Sequence, residues 1–303
     1  MENFNPLVSV IINCYNGEKY LREAIDSVIA QTYTNWELIF WDNQSTDSSA
    51  EIVKSYNDDR IKYYYAPKHT PLGEARNMAM DKAQGQYLSF LDCDDLWMEN
   101  CLEVYVKYIL NNNFPVLLYS NYYCKNEKKI WKFSPDEVCH IVNDKDFVSI
   151  YNIAISSALI KMDYLKNNNI LFCSDFSLIE DYDFFLKLSI SNSIFYISDP
   201  LMQYRYHCDN LSKKKNFGGE FQLLYNKIIS GSGIYRHMHR YVTIVSERMN
   251  YVLANESINE KKRIKALSFI LKLNLFSIPF CRICLKMIVP FRILHYIEKK
   301  KYM

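Results

Sequence analysis

Residues 7 to 91 switch repeatedly between two hydrophobic periods, and this alternation constrains the fold more than any other feature of the 303-residue chain. Leu7-Val-Ser-Val-Ile-Ile12 is a short β-branched run, suited to a strand buried on both faces. Tyr20 to Gln31 places Leu21, Ala24, Ile25, Val28 and Ile29 at helical spacing. Glu37 to Trp41 is strand-like. Ser48 to Tyr56 reads as a helix with Asp47 as its N-cap, and Ile61 to Tyr65 as a third strand. Pro71 to Gln84 predicts a helix ending near Gly85, and Tyr87 to Leu91 a fourth strand. Strands and helices alternating through short connections predict an α/β fold, a doubly wound, mostly parallel sheet.

In such sheets ligands bind beyond the carboxyl ends of the strands. Three polar clusters fall there: Asn13-Cys-Tyr-Asn16, Asp42-Asn-Gln-Ser-Thr-Asp47 and Asp92-Cys-Asp-Asp95. After Leu96 the pattern loosens. Helices are expected at Asn100 to Asn111, Asp144 to Tyr151 and Glu180 to Ser191. Strands are expected at Pro115 to Tyr123, Ile130 to Phe133, Ile194 to Ile197 and Leu201 to Tyr206. From Phe217 onward the pattern is mainly helical. The expected division is a catalytic domain over residues 1–215 and a helical, basic extension over 216–303.

Asp92-Cys-Asp-Asp95 puts three carboxylates in four residues directly after a buried strand. They repel one another unless a positive group sits among them, and a hard divalent cation with an affinity for phosphate is the natural one. A solvated turn capping the next helix is the alternative. Glu180-Asp-Tyr-Asp183 opens a helix, where acids are favoured by the dipole; the functional reading is a general base near the metal. Tyr204-Arg-Tyr-His207 ends a strand before Lys213-Lys-Lys215. Neutral histidine is a common metal ligand and lysines suit phosphates. Neither G-x-G-x-x-G nor G-x-x-x-x-G-K-[ST] occurs, which disfavours a dinucleotide-binding reductase and a P-loop kinase.

Taken together, these stretches resemble the family 2 glycosyltransferases of the GT-A fold, a Rossmann-like sheet. The resemblance rests on Val8-Ser-Val-Ile-Ile-Asn-Cys-Tyr-Asn16, Gln31-Thr-Tyr33, Asp42-Asn-Gln-Ser-Thr-Asp47, Gly73-Glu-Ala-Arg-Asn77, Ala83-Gln-Gly85, Asp92-Cys-Asp-Asp95, Glu180-Asp181 and Tyr204-Arg-Tyr-His207, in the family's order over residues 7 to 212. It implies that Asn13 and Tyr15 hold the nucleobase and that Asp42 and Asn43 contact base or ribose. It places Arg76 facing the donor, and Cys93 with the donor-binding residues between Asp92 and Asp94. Asp94 and Asp92 match the family's metal motif, with Asp94 the direct ligand. Asp181 matches the base, and His207 resembles a histidine that completes the metal site. Many members carry a second Asp where this chain has Asn43. An Asn amide both accepts and donates, so a dTDP-sugar stands as the alternative to a UDP-sugar.

The resemblance implies an inverting transfer. A nucleoside diphosphate leaves, Mg²⁺ or Mn²⁺ offsets its charge, and Asp181 takes the proton of an acceptor hydroxyl on a glycan or lipid-linked acceptor. Two other classes fit the sequence less well. A nucleotidyltransferase would need a Gly- and Lys/Arg-rich loop that Asn13 to Lys19 lacks. A non-catalytic nucleotide-sugar-binding protein does not call for acids at 92, 94 and 181.

Charge sets the tail apart. Residues 261–303 carry eleven Lys or Arg and one acid, Glu298, whereas the preceding residues are mildly acidic. Phe269, Leu273, Phe276, Met287, Phe291 and Leu294 recur among those bases, a basic amphipathic pattern broken by Pro279 and Pro290. A membrane surface is the expected partner, and packing in a helical subdomain or oligomer is the alternative; nucleic acid is not expected. Nine scattered cysteines read as free thiols in a reducing compartment, and the lone Cys281-x-x-Cys284 has no second pair. With neither a signal peptide nor a run of about 20 apolar residues, the expected location is cytoplasmic, peripheral on the membrane's inner face.

Overall fold

The computed structural model describes residues 5–112, 114–133, 153–190, 193–208, 210 and 217–274. These fall into two units, one up to residue 208 and one from residue 210 onward. The expected boundary near Lys215, the Lys213-Lys-Lys215 run, the helix expected at 144–151 and the Cys281-x-x-Cys284 pair lie outside the described residues.

The first unit starts with the alternation read from the sequence: β1 (Val8–Cys14), α1 (Glu18–Ile29), β2 (Trp36–Asp42), α2 (Ser49–Lys54), β3 (Ile61–Tyr65), α3 (Leu72–Met80) and β4 (Tyr87–Phe90). These strands pair parallel in the order β3-β2-β1-β4, with Val10 opposite Leu38 and Val8 opposite Tyr87. Beyond them come β5 (Leu96–Trp97), α4 (Cys101–Asn111), β6 (Leu117–Lys125), β7 (Ile130–Lys132), β8 (Ala158–Lys161), α5 (Met162–Asn167), α6 (Glu180–Ser189) and β9 (Ile194–Arg205). The full order is β3-β2-β1-β4-β8-β6-β9-β5, with β7 on β6. β8 runs antiparallel to both β4 and β6, while β6 and β9 are parallel.

One face of the sheet follows the period-two rule. Val8, Val10 and Ile12 join Leu21, Ile25 and Val28 of α1, and Leu102, Tyr105 and Ile109 of α4, in the main core. Elsewhere Phe90, Phe172 and Phe184 pack together, with Phe172 and Phe184 stacked at 4.0 Å. A buried polar row crosses the sheet. Glu37 accepts from Ser9 Oγ at 2.6 Å, Lys62 Nζ at 2.6 Å and the Gln84 amide at 2.7 Å. Burial would raise its carboxyl, but these donors win and hold it below the ordinary value. They also fix the turn carrying Gly85, whose missing side chain leaves room for β1: a Cβ there would lie 2.6 Å from the Ser9 nitrogen and 2.7 Å from the Leu7 oxygen.

Several expectations need correcting. α3 stops at Met80 instead of running to Gln84. Ser48, not Asp47, is the residue preceding α2; Asp47 accepts from the Ser49 amide at 3.0 Å and from the Glu18 amide at 2.9 Å, joining the starts of two helices. The two strands expected at 194–197 and 201–206 are one strand, β9, with Pro200 at its register shift against β6. A bulge tolerates proline inside a strand, whereas Ser198-Asp-Pro200 reads as a break in sequence. β5, β8 and α5 were not expected at all.

The second unit holds α7 (Phe217–Ser230), a 3₁₀ segment (Gly233–Tyr241), α8 (Val242–Asn259) and α9 (Arg263–Ile270). Ala254 of α8 packs with Ile270 and Leu273. Among the described residues no helix is long and apolar enough to cross a membrane.

Candidate active site

The parallel order brings the ends of β1, β2 and β4 to one edge, and the acidic loop after β4 is its centre. One carboxylate oxygen each from Asp92, Asp94 and Asp95 lies within 4.8 Å of the others. The three are not equivalent. Asp95 is buried and spent on structure: one oxygen accepts from the Arg205 amide at 3.0 Å and the other from Ser156 Oγ at 2.7 Å. Ser156 Oγ also accepts from the Asp92 amide at 3.1 Å, so the loop is held from two sides. Asp94 faces His207, Nε2 to Oδ2 at 2.7 Å, and the His207 ring packs 5.1 Å from Tyr20. The bond from the Arg205 amide to the Asp95 carboxylate, with the pairing of β5 on β9, holds the end of β9 beside this loop.

Arg76 of α3 ties the loop to α6. One guanidinium nitrogen donates to Asp92 Oδ1 at 3.0 Å and another to Glu180 Oε1 at 3.0 Å, and the side chain is only 3% exposed. Phe90 and Phe172 lie 5.8 and 5.5 Å from the guanidinium carbon. Arg76 is therefore a buried bridge between two acidic segments. Burial pushes the Glu180 carboxyl up to about 7; Arg76 opposes this, and Asp181 and Asp92 add to it. Desolvation likewise raises the Asp92 carboxyl against the pull of Arg76, with Asp94 and Asp181 adding repulsion. These influences place Asp181 in the electrostatic neighbourhood of the β4 acids. Its Oδ1 accepts from the Tyr182 amide at 2.7 Å.

The loops after β1 and β2 are interlocked. Asn16, in the left-handed region at φ 58°, accepts from the Thr46 amide at 2.8 Å and donates its own amide to Ser45 Oγ at 3.1 Å. Asn13 keeps both ends of its side-chain amide buried with no hydrogen-bond partner among the described residues. Such a group is costly unless something completes it. Tyr15 is 53% exposed. Asp42, by contrast, is fully buried, accepting from the Ser45 amide at 2.7 Å and from Tyr63 Oη at 2.7 Å. Asn43 gives Nδ2 to the Thr70 carbonyl at 2.8 Å and accepts from the Thr70 amide at 3.2 Å. Of the two residues expected at the base or ribose, the Asp42 side chain holds Ser45 and Tyr63, and the Asn43 side chain holds Thr70 in the loop between β3 and α3. Cys93 packs with Cys14 against Gly17, where a Cβ would stand 2.7 Å from the Cys14 sulfur and 3.0 Å from that of Cys93. The hydrogen bond from Cys93 lowers the Cys14 thiol, and Cys93 itself is pushed up by Cys14 and by burial.

The structure thus gathers Asp92, Asp94, His207, Arg76 and Glu180-Asp181 at one place, and turns Asp42, Asn43 and Cys93 inward. Sequence reasoning missed Ser156, which lies in a stretch without periodicity, and His69, whose ring lies 4.4 Å from that of Tyr15.

An acidic loop at the end of β4 is thus bridged by a buried arginine to an acid pair opening α6. The model described as "Glycosyl transferase family 2" matches residues 9–181, more than half of the chain, and the chain belongs to that family. An uncharacterized glycosyltransferase of Rickettsia bellii is 35% identical over 225 residues, covering 71% of this chain and 32% of that protein. WfgD of Escherichia coli, a UDP-Glc:alpha-D-GlcNAc-diphosphoundecaprenol beta-1,3-glucosyltransferase, is 39% identical over 124 residues, 41% of this chain and 49% of its own. The chain spans about a third to a half of the length of these relatives. Among solved structures, S. aureus TarS 1-349 in complex with UDP-GlcNAc superposes with a TM-score of 0.70 over 88% of this chain and 81% of that one, at 22% identity. At that identity the likeness is one of fold.

Proposed function

We propose that this chain transfers a sugar from a nucleoside-diphosphate donor to an acceptor hydroxyl, with inversion at the anomeric carbon. The observation that carries the reading is the Arg76 bridge, which joins the β4 acids to the acid pair at the start of α6. That bridge unites a place for phosphate charge with a carboxylate for proton transfer.

The donor set fits a divalent cation. Carboxylate oxygens with one imidazole suit Mg²⁺ or Mn²⁺, and a cation would offset the repulsion from Asp94 and Asp181 that adds to desolvation at Asp92. Asp94, Asp92 and His207 would hold it, and bound there it offsets charge on the departing diphosphate. Asp95 serves as the anchor of this loop. Tyr15 offers a ring for the base, and the unsatisfied Asn13 amide offers a donor and an acceptor beside it. Arg76 holds Asp92 and Glu180 in place, so its part is positioning. Asp181 accepts the proton of the incoming hydroxyl on the face opposite the leaving group, which requires inversion without a covalent intermediate. A UDP-sugar is the favoured donor with a dTDP-sugar as the alternative. WfgD's name supplies the analogy for a lipid-linked glycan acceptor.

The test is a panel of UDP-, dTDP- and GDP-sugars with Mg²⁺ or Mn²⁺, reading nucleotide release. Turnover is expected to vanish in excess chelator and in Asp94→Ala, while Asp181→Asn still binds donor and fails to transfer. Full activity in chelator would sink the metal reading, and near wild-type transfer by Asp181→Asn would move the base elsewhere.

A further inference from the structure

Asp42 and Asn43 are both hydrogen-bonded within the protein. The loop they hold supplies a further polar group. The Ala66 amide donates to the Asp42 carbonyl at 2.8 Å, Gln44 Nε2 donates to the Ala66 carbonyl at 3.3 Å, and Asn43 clasps Thr70 through both ends of its amide. Between those fixed points stands His69. Its Nδ1 lies 2.8 Å from the Asn43 carbonyl oxygen. A carbonyl only accepts, so Nδ1 carries the hydrogen, and in the neutral ring Nε2 is then a lone-pair acceptor. Nε2 has no hydrogen-bond partner among the described residues, and the residue is exposed. The His69 ring lies 4.4 Å from that of Tyr15, tilted by 54°. An exposed phenol ring thus stands beside an acceptor whose tautomer and loop are both held in advance.

We propose that His69 is the residue that selects the nucleobase, accepting a hydrogen bond from the ring N–H of uracil or thymine while the base packs on Tyr15. This rests on the nucleotide-sugar reading above and deepens it. Uracil and thymine carry a hydrogen on N3, and cytosine carries a lone pair there. Two lone pairs facing each other leave a hydrogen bond unmade, which discriminates by roughly tenfold or more. Asn43 acts through His69: its carbonyl sets the tautomer and its side chain sets the loop.

The experiment is calorimetric titration of the full chain with UDP, dTDP and CDP in Mg²⁺, using wild type, His69→Phe and His69→Gln, with melting curves to confirm folding. Wild type is expected to bind UDP and dTDP about tenfold or more tighter than CDP. His69→Phe keeps a ring beside Tyr15 and removes the acceptor, so its UDP affinity is expected to fall to the level of CDP while CDP binding stays unchanged. His69→Gln restores an acceptor and is expected to recover part of the preference. Either a wild-type chain that binds CDP as tightly as UDP, or a folded His69→Phe with the wild-type preference, overturns the proposal and leaves the donor reading standing. A wild-type chain that binds none of the three nucleotides overturns the donor reading, and this proposal with it.

Discussion

The Arg76 guanidinium shows at the residue scale how one side chain decides the state of several others. It is buried between Asp92 and Glu180, so its removal strands acids that already repel one another. Arg76→Met is expected to destabilise the chain by about 3 kcal/mol at pH 8, measured by urea denaturation without metal. The loss should shrink at pH 5, where Glu180 takes up a proton. Glu180 itself makes a signed prediction. Burial raises its folded pKa to about 7 from an ordinary 4.5. The folded chain therefore holds this proton more tightly than the unfolded chain. The resulting stabilisation is complete below about pH 4.5 and is lost as pH rises through about 7. Glu180→Gln keeps an oxygen for Arg76 and cannot titrate. Between pH 4.5 and pH 8 its stability should improve relative to wild type by up to about 3 kcal/mol. A constant difference across that range would mean that Glu180 stays ionised in the fold.

Close approach and conformational freedom separate two glycines at the scale of elements. Gly85 sits where the turn before β4 presses on the start of β1, and a Cβ would meet backbone atoms that have nowhere to move. Gly85→Ala is expected to cost about 1–3 kcal/mol in thermal or urea melts. Gly219 lies exposed in α7 with nothing within 4 Å of a Cβ. Gly219→Ala should instead stabilise by about 0.5–1 kcal/mol, because alanine loses less backbone freedom in a helix. Equal effects at the two sites would contradict the packing at the β1–β4 entry.

At the scale of the whole molecule, the prediction concerns the basic tail. Ile270 and Leu273 pack on Ala254, so a cut at residue 261 would strip part of the second unit's own core. Deleting residues 275–303 spares that packing and removes Arg282, Lys286, Arg292, Lys299, Lys300 and Lys301 with one acid, Glu298. Each basic residue near an anionic surface contributes about 1 kcal/mol, screened by salt. The shortened chain is expected to lose binding to phosphatidylserine vesicles in a sedimentation assay while still hydrolysing soluble donor. Undiminished vesicle binding would assign the tail to protein packing.

The alternation from Leu7 to Phe90 was legible because short-range periodicity sets which face of each strand and helix is apolar. The placement of Asp92 and Asp94 after a strand and of Asp181 in the first turn of a helix was legible because the elements beside them are periodic. Tertiary structure alone decided how those residues are used. Asp42 and Asn43 stand in a row of polar residues, and only the return of the loop between β3 and α3 brings Ala66 and Thr70 to them. Arg76 meets Asp92 and Glu180, 16 and 104 residues away in sequence, only because α3 and α6 pack near the same strand end. β8 joins β4 to β6 through pairings that no local period announces. Local pattern specifies what a segment can bury, whereas the partner of a buried charge depends on which distant segment arrives beside it.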